Sequence, residues 1–123
     1  MSKVQTVAVL GASPKPDRYS NKAMRMLKVH GHRAIPVNPV EQEIEGFAVV
    51  PDLGAIAGTV DTLTVYVNPD RSLPLADDMI RLRPSRVILN PGTESEALEK
   101  KLRDAGSPVL KACTLVLLRT GQF

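Results

Sequence analysis

Aromatic side chains are scarce in this chain, and tryptophan is absent. Of the 123 residues only 3% are aromatic, whereas 43% are hydrophobic. A core built from this sequence must therefore be aliphatic, made of Val, Leu, Ile, Ala and Met. The length suits one compact domain that spans residues 1–123 and leaves no room for a second.

Cysteine, long apolar runs and strong charge are also missing. The single cysteine, Cys113, excludes an internal disulfide and suits a reducing compartment. The apolar run within residues 1–13 is too short for a secretory signal or a membrane span, which predicts a cytoplasmic protein with no membrane partner. The net charge of +3 comes without a lysine or arginine tract, so it favours a small anionic ligand over nucleic acid.

What the chain does contain is a regular alternation of strand-like and helix-like segments. Short apolar, β-branched runs predict five strands at residues 5–10, 33–37, 60–67, 86–89 and 108–112. Residues 40–58 are less regular and predict a loop with a short strand at 47–50, followed by one helical turn. Pro36 in the second strand predicts either an interruption of the strand or a side of its backbone that is unpaired there.

Helices are predicted between these strands from their caps and apolar spacing. The first covers residues 21–30, with Ser20 as its N-cap and Gly31 at its end. The second runs through residues 75–82, and Pro84 stops it. Thr93 and Glu96 predict a capping box for a third helix, and residues 114–120 predict a last short one.

This alternation predicts an α/β fold with three layers, in which helices cover both faces of a mainly parallel, doubly wound five-stranded sheet. We expect the strand order 3-2-1-4-5. In such sheets the ligand crevice lies at the carboxyl ends of the strands, where the strand order reverses. The predicted order places that point between the first and the fourth strand.

Three predicted strands end in the same dipeptide, Asn-Pro, at residues 38–39, 68–69 and 90–91. Asparagine tolerates a sharp turn and offers a donor and an acceptor, while proline fixes the turn. One interpretation is three stable strand-to-helix turns. Another is a rigid polar rim around one ligand, and the two are compatible.

The turn after the first strand has the features of a phosphate site. A phosphate needs backbone amides at a helix N-terminus, and no bulky side chain in the way. The segment supplies small residues, hydroxyl groups and positive charge, at Gly11, Ala12, Ser13, Lys15, Arg18, Ser20 and Lys22. The alternative is an exposed basic loop whose charges are simply solvated.

The glycine pattern argues against a nicotinamide cofactor. Only the first glycine of the G-x-G-x-x-G fingerprint is present, and no acid follows the second strand at Val37-Asn38-Pro39. The lysine of a Walker loop is absent too. A small enzyme that binds NAD(P) or another nucleotide remains an alternative.

Two segments, GASPKPDRYSNKAM and AIPVNPVEQEIEG, resemble the small CoA-binding domain proteins. Through them the chain is similar to the CoA-binding domain of succinyl-CoA synthetase α subunits. The resemblance covers residues 6–113, and it implies a Rossmann-like sheet that binds coenzyme A along its carboxyl edge. It implies phosphate contacts at Gly11, Ala12, Ser13, Arg18 and Ser20, an adenine side at Val37, Asn38 and Pro39, and further contacts at Val67, Asn68 and Pro69.

The chain departs from the pattern of these relatives at two places. Relatives often carry a basic residue after the proline of PVNP, where this chain has Val40, and Arg71 is our candidate to take over a contact with the ribose 3′-phosphate. Relatives often show Q-x-G after the fourth strand. Here the sequence is Leu89-Asn90-Pro91-Gly92, so the pantetheine end is expected to differ from that of the relatives, and Asn90 and Gly92 are candidate ligand contacts.

No catalytic set is evident in the sequence. His30 and His32 flank Gly31 at the far end of the first helix, where cap or surface roles are expected. Cys113 follows the fifth strand and is either a small buried apolar residue or a thiol able to form a mixed disulfide with CoA.

The sequence thus predicts a CoA or acyl-CoA binding protein without catalytic or metal-binding residues. Three alternatives stay open, and they concern its chemistry and its assembly. They are the nucleotide-binding enzyme, an interacting subunit with an empty crevice, and a homodimer or a complex with a partner enzyme.

Overall fold

Apolar strands alternate with amphipathic helices through residues 4–123, the part of the chain that the structure, a computed structural model, describes. Its strands are β1 (Thr6–Leu10), β2 (Arg33–Val37), β3 (Glu43–Ile44), β4 (Phe47–Ala48), β5 (Thr62–Val65), β6 (Arg86–Leu89) and β7 (Val109–Lys111). Its α-helices are α1 (Tyr19–Val29), α2 (Pro69–Ser72), α3 (Ala76–Leu82), α4 (Glu96–Asp104) and α5 (Thr114–Arg119). Short 3-10 turns cover Leu53–Ala55 and Leu73–Leu75.

The predicted fold class is confirmed. Five strands form one parallel sheet, and the helices cover both of its faces. Alternate residues of β1 show the two layers: Ala8 and Leu10 belong to the core beneath α3 and α4, whereas Val7 and Val9 belong to the core beneath α1 and α5. This alternation follows from the two-residue period of a strand.

The predicted strand order is wrong. The sheet runs β2-β1-β5-β6-β7, so the third predicted strand, β5, lies between β1 and β6. The prediction had placed it at the outer edge, next to β2. All four residues of β5 are buried, as is typical of a central parallel strand covered on both faces.

Pro36 explains why β2 lies at the edge. The amide of Asn38 points away from β1 and donates to the carbonyl of Val50 at 3.0 Å. Amides two residues apart in a strand point the same way, so the nitrogen of Pro36 faces the same outer side. Because proline has no N–H, a full ladder on that side is excluded, and β2 could not have been an interior strand.

Two predicted helix starts differ from the structure. Helix α1 begins at Tyr19 with Arg18 as its N-cap residue, so Ser20 lies within the first turn and is buried. The capping box is also wrong, because Ser95 caps α4 by accepting a hydrogen bond from the amide of Leu98. The hydroxyl of Thr93 instead donates to the carbonyl of Asn90 at 2.8 Å.

The least regular segment forms a small hairpin. Strands β3 and β4 pair antiparallel, and Val50 then forms a single parallel bridge with Val37 at the outer edge of β2. This bridge carries residues 51–53 to the carboxyl edge of the sheet. None of the helices within residues 4–123 is long and apolar enough to cross a membrane.

Candidate functional site

Two adjoining cavities lie along the carboxyl edge of the sheet. Their volumes are about 420 and 450 Å³, and we call them together the edge groove. Gly11, Ser13, Val67 and Arg71 line both cavities and therefore mark the place where they meet. Because β5 follows β1 in the sheet, the strand order reverses between β1 and β5, and the groove lies at that point rather than between the first and fourth predicted strands.

The first cavity is a largely apolar slot at the ends of β1 and β2. Its walls include Leu10, Ala12, Val37, Pro39, Leu53 and Leu75, and its polar side chains are those of Ser13, Asn38, Asp52 and Arg71. Residues 51–53 were missed by the sequence analysis as part of a site. The sequence did contain a signal for these residues. The short strand predicted at 47–50 is followed by Pro51-Asp52, which joins a proline to a polar residue as the Asn-Pro dipeptides do after other strands.

Gly11 allows β1 and β5 to approach each other at the centre of the groove. Its φ angle is +86°, in the left-handed region that disfavours other residues. A Cβ atom at this position would lie 2.8 Å from Cγ1 of Val67 and 3.2 Å from the carbonyl carbon of Tyr66. The backbone of the first turn therefore runs against the end of β5, and only glycine fits there without a shift.

The loop between β1 and α1 is held in place by two side chains of α1. The buried Asn21 donates from Nδ2 to the carbonyl of Ser13 at 2.9 Å. Arg25 donates to the carbonyl of Pro16 at 2.7 Å and to Oδ1 of Asn21 at 2.9 Å. Neither residue was predicted from the sequence; together they hold the loop on the side of α1, and the outer side of the loop faces the groove.

The N-terminus of α1 opens into the second cavity without a side-chain cap. Arg18 makes no capping hydrogen bond, and the first turn contains no acidic residue. The first amides of a helix need partners from outside it and carry its positive dipole end. Lys15, Arg18, Tyr19 and Ser20 line this cavity, so positive charge and a hydroxyl group surround those amides.

Two of the Asn-Pro dipeptides build the rim of the groove through their asparagines. Asn38 donates from Nδ2 to the carbonyl of Ala12 at 2.9 Å, while its Oδ1 accepts from the amides of Val40 and Glu41 at 2.8 and 3.0 Å. Asn68 caps α2 by accepting from the amide of Arg71. Each asparagine thus stabilises its own turn and also lines the groove.

Asn90 has a different position from the other two asparagines. It is buried beneath the rim, where Nδ2 donates to Oγ1 of Thr64 at 2.7 Å and to the carbonyl of Val65 at 2.9 Å. Its Oδ1 accepts from the amide of Thr114 at 2.9 Å. The side chain therefore ties β5 to the start of α5, and it does not line the groove.

Arg71 lies where the two cavities meet and lines both. Its side chain is exposed, and it forms no ion pair with another residue within 4–123. Val40, which follows the proline of PVNP, is 81% exposed and lies outside the groove. Because it has no ion-pair partner within residues 4–123, the guanidinium of Arg71 can bind an anion in the edge groove.

Tyr66 forms part of the second cavity and is mostly covered. Burial raises the pKa of its phenol to about 12, so the hydroxyl remains protonated at neutral pH. The nearby hydroxyls of Thr64 and Thr114 bond to each other at 2.8 Å, and the phenol oxygen itself is buried without a partner in the described part of the chain.

The structure brings most of the predicted site residues to the edge groove. Only Pro69 and Asn90 among them do not line it; those that do are Gly11, Ala12, Ser13, Lys15, Arg18, Ser20, Val37, Asn38, Pro39, Val67, Asn68, Arg71 and Gly92. Cys113 is half-buried at the start of α5 and lies outside the lining.

The two histidines lie far from the groove. His30 is the C-cap residue of α1 and is exposed, as predicted. His32 is buried instead, and its Nδ1 accepts from the amide of Gln5 at 3.0 Å, just before β1. This contact places His32 at the amino end of the sheet. Within residues 4–123 no group of three or more His, Cys, Asp and Glu side chains could hold a metal ion.

Known proteins with similar sequences and folds include two uncharacterized proteins and part of an enzyme. A crystal structure of an uncharacterized protein is 40% identical, with a TM-score of 0.92, and the match covers 99% of this chain and 100% of that one. Uncharacterized protein YneT of Bacillus subtilis (strain 168) is 26% identical over 110 residues, 89% of this chain and 82% of that protein.

An enzyme also shares part of the sequence. ADP-forming acetate–CoA ligase I of Archaeoglobus fulgidus is 36% identical over 72 residues, 58% of this chain but only 10% of the ligase. The family model described as a CoA binding domain matches residues 5–119, from just before β1 to the end of α5. The chain belongs to the CoA binding domain family.

Proposed function

We propose that this protein binds coenzyme A, or an acyl-CoA, in the edge groove without catalysing a reaction on it. The observation that carries the proposal is the uncapped N-terminus of α1, which opens into a groove lined by Lys15, Arg18 and Arg71. Helix N-termini with nearby cations are suited to bind phosphate groups. Membership of a CoA binding domain family supports this ligand over other nucleotides.

The pyrophosphate of the ligand binds at the first turn. There the amides at the start of α1 and the hydroxyl groups of Ser13 and Ser20 offer hydrogen bonds, and Arg18 offers a planar fork that can hold two phosphate oxygens. The tethers from Asn21 and Arg25 hold this loop in shape before the ligand arrives, which lowers the entropy cost of binding.

The adenine ring occupies the apolar slot of the first cavity. Aliphatic side chains at the ends of β1 and β2 form its walls, and Asn38, Asp52 and Ser13 supply the few polar groups that such sites use for orientation. Arg71 lies between the slot and the phosphate loop, so it binds the ribose 3′-phosphate in place of the residue missing at Val40.

A binding role without catalysis fits the chemistry of the lining residues. A general base needs a pKa near the working pH, whereas Tyr66 has a pKa of about 12. The histidines do not line the groove, and neither does Cys113. The remaining charged groups of the lining, mainly arginine and lysine, are suited to hold phosphate groups rather than to exchange protons.

Calorimetry with a ligand series tests this proposal. CoA, acetyl-CoA, dephospho-CoA, ADP, NAD and NADP are titrated into the full chain, and into the Arg18→Ala variant. We expect CoA or acetyl-CoA to bind tightest, and Arg18→Ala to weaken both by roughly tenfold, the value of one charge-assisted contact. Arg33→Ala, an exposed arginine outside the groove, is the matched control and leaves the affinity unchanged.

Two results would overturn the proposal. One is tight binding of NADP or NAD without comparable binding of CoA, which would point to the nucleotide-binding enzyme. The other is an absence of heat with every ligand in the series while circular dichroism shows a folded chain. Consumption of CoA when the protein is incubated with candidate substrates, measured by chromatography, would contradict only the proposed absence of catalysis.

A further inference from the structure

A second groove lies outside the edge groove, between the outer surfaces of α1 and α5. Its volume is about 630 Å³, and we call it the α1–α5 groove. The residues that line it are Tyr19, Lys22, Arg25, Met26, Val29, His30, Leu115 and Arg119. The two helices pack against each other beneath it, with Met24, Leu27 and Leu118 buried in the core below.

Large apolar side chains are exposed along this groove. Val29 is 83% exposed and Tyr19 is 69% exposed. Met26 and Leu115 are half-buried, and we call Met26, Val29 and Leu115 together the floor of the groove. Contiguous apolar surface of this kind, framed by polar residues, is typical of a site where another molecule packs.

The frame of the groove is entirely basic. Lys22, Arg25 and Arg119 line it together with His30, and no acidic residue is among the lining residues. None of the three cations forms an ion pair with a residue within 4–123. Arg25 is also held in place by hydrogen bonds to Asn21 and Pro16, so part of the positive charge is preorganised.

Charge and shape together select the kind of partner. A second copy on a two-fold axis would bring Lys22, Arg25 and Arg119 against the same basic side chains, which like-charge repulsion disfavours. Nucleic acid would match the cations, but it would leave the aliphatic floor of Met26, Val29 and Leu115 without a suitable contact. A segment with acidic and aliphatic side chains satisfies both the floor and the frame.

We propose that the α1–α5 groove is a docking site for an acidic amphipathic helix of a partner protein. The aliphatic face of that helix packs on Met26, Val29 and Leu115, as helices do in apolar grooves. Its Asp and Glu side chains pair with Lys22 and Arg119 at the frame. The proposal does not depend on coenzyme A, because the groove is separate from the edge groove and shares only Tyr19 with it.

The test uses synthetic peptides of about 18 residues, roughly five helical turns, with Leu at i, i+3, i+4 and i+7 and Glu on the other face. A second peptide has the same composition in scrambled order, and a third has Lys in place of each Glu. Binding to the full chain is measured by fluorescence anisotropy with a labelled peptide. The contact residues are mapped from amide chemical shifts in ¹⁵N-labelled protein.

We expect only the acidic amphipathic peptide to bind, with shift changes concentrated at residues 22–30 and 115–119. Val29→Glu and Arg119→Glu should each weaken binding by roughly five- to tenfold, since one inserts a like charge into the floor and the other reverses a charge of the frame. Val40→Glu is the matched control for the first, because Val40 is 81% exposed and lies outside both grooves. Arg33→Glu is the control for the second.

Several outcomes would overturn the proposal. Absence of acidic-peptide binding at millimolar concentration is one, and equal binding of the scrambled or lysine-containing peptide is another. Binding unaffected by both groove variants, in proteins whose melting curves show them folded, would place the peptide elsewhere. Self-association in sedimentation velocity that Arg119→Glu alters would identify a second copy as the occupant instead.

Discussion

Gly11 is the residue on which the geometry of the edge groove depends most. The left-handed backbone at this position disfavours every other residue, and a Cβ would lie 2.8 Å from Val67 Cγ1. We predict that Gly11→Ala lowers the free energy of unfolding by about 2–4 kcal/mol, the sum of backbone strain and a steric shift. Urea unfolding followed by circular dichroism measures the change.

Gly106 provides the control for this prediction. Its φ angle is +87°, almost the same as that of Gly11, but a Cβ there would meet nothing within 4 Å. Gly106→Ala should therefore cost only the backbone strain, about 1–2 kcal/mol. Equal losses for the two variants would show that the contact with Val67 relaxes easily and that close packing at the first turn is unimportant.

Arg71 is the residue that we expect to recognise the 3′-phosphate of CoA. Because Arg71 lines both cavities of the edge groove, Arg71→Ala should remove the preference for CoA over dephospho-CoA. A charge-assisted hydrogen bond of about 1.5–3 kcal/mol corresponds to a preference of roughly ten- to a hundredfold. Calorimetry with both ligands on both proteins gives the coupling between the residue and the phosphate.

Arg81→Ala is the control for Arg71→Ala, since Arg81 pairs with Asp78 on α3 and lies outside the edge groove. It should leave the preference unchanged. If Arg71→Ala weakens CoA and dephospho-CoA equally, the residue contacts another part of the ligand, and the replacement of the basic residue absent at Val40 fails as an explanation.

Asn21 couples helix α1 to the loop that precedes this helix. Its amide holds the carbonyl of Ser13 and also contacts Oε2 of Glu45 on the hairpin, at 3.2 Å. Asn21→Ala should lower the free energy of unfolding by about 1–3 kcal/mol, because it removes the hydrogen bonds of a buried side chain and leaves the half-buried carbonyl of Ser13 without its partner. It should also weaken CoA binding several-fold, since the loop loses its tether; calorimetry and urea unfolding measure the two effects.

Ser95→Ala separates loop positioning from general loss of stability. Ser95 caps α4, far along the chain from the first turn, and its loss should cost about 1 kcal/mol. The affinity for CoA should not change. A comparable loss of affinity in Ser95→Ala would mean that binding follows overall stability and that the Asn21 tether has no specific role.

The elements also show which parts of the fold could be predicted. The strands and most helices could be predicted from local apolar patterns. Most residues that line the edge groove could be predicted from the rule that ligands bind at the carboxyl ends of strands. The strand order could not be read from apolarity, because strands buried on both faces look alike. Pro36 contained the missing information, since an interior β2 would have needed an amide there.

Non-local contacts account for the site residues that were missed. Residues 51–53 reach the groove only through the bridge between Val37 and Val50, and a bridge of one residue leaves no periodic pattern in the sequence. Asn90 was assigned to the rim because it shares a dipeptide with Asn38 and Asn68. The structure buries it between β5 and α5, a difference that depends on the neighbours of each strand end.

The carboxyl and amino ends of the parallel strands, which lie on opposite sides of the whole domain, have different chemistry. The carboxyl edge opens into the groove, whereas the amino edge is closed by a network around Gln5. The side chain of Gln5 donates to the carbonyl of Phe123 and accepts from the hydroxyl of Thr62, while the backbone N–H of Gln5 donates to Nδ1 of His32. The guanidinium of Arg86 lies 4.7 Å from the ring centre of Phe123, and that ring lies 5.2 Å from the imidazole of His32, so a cation is close to a buried histidine.

His32 should make the stability of the whole domain depend on pH. Burial lowers its pKa below 6.5, and the neighbouring His30 and Arg86 lower it further by like charge. The unfolded chain therefore takes up this proton first, so the stability present above about pH 6.5 is lost progressively as the pH falls through the folded value.

His32→Asn keeps a hydrogen-bond acceptor near Nδ1 but cannot titrate. Urea unfolding between about pH 7.5 and pH 5 should show a steeper decline for the parent than for His32→Asn, and His30→Asn should keep most of that decline; parallel curves for parent and His32→Asn would contradict the assignment.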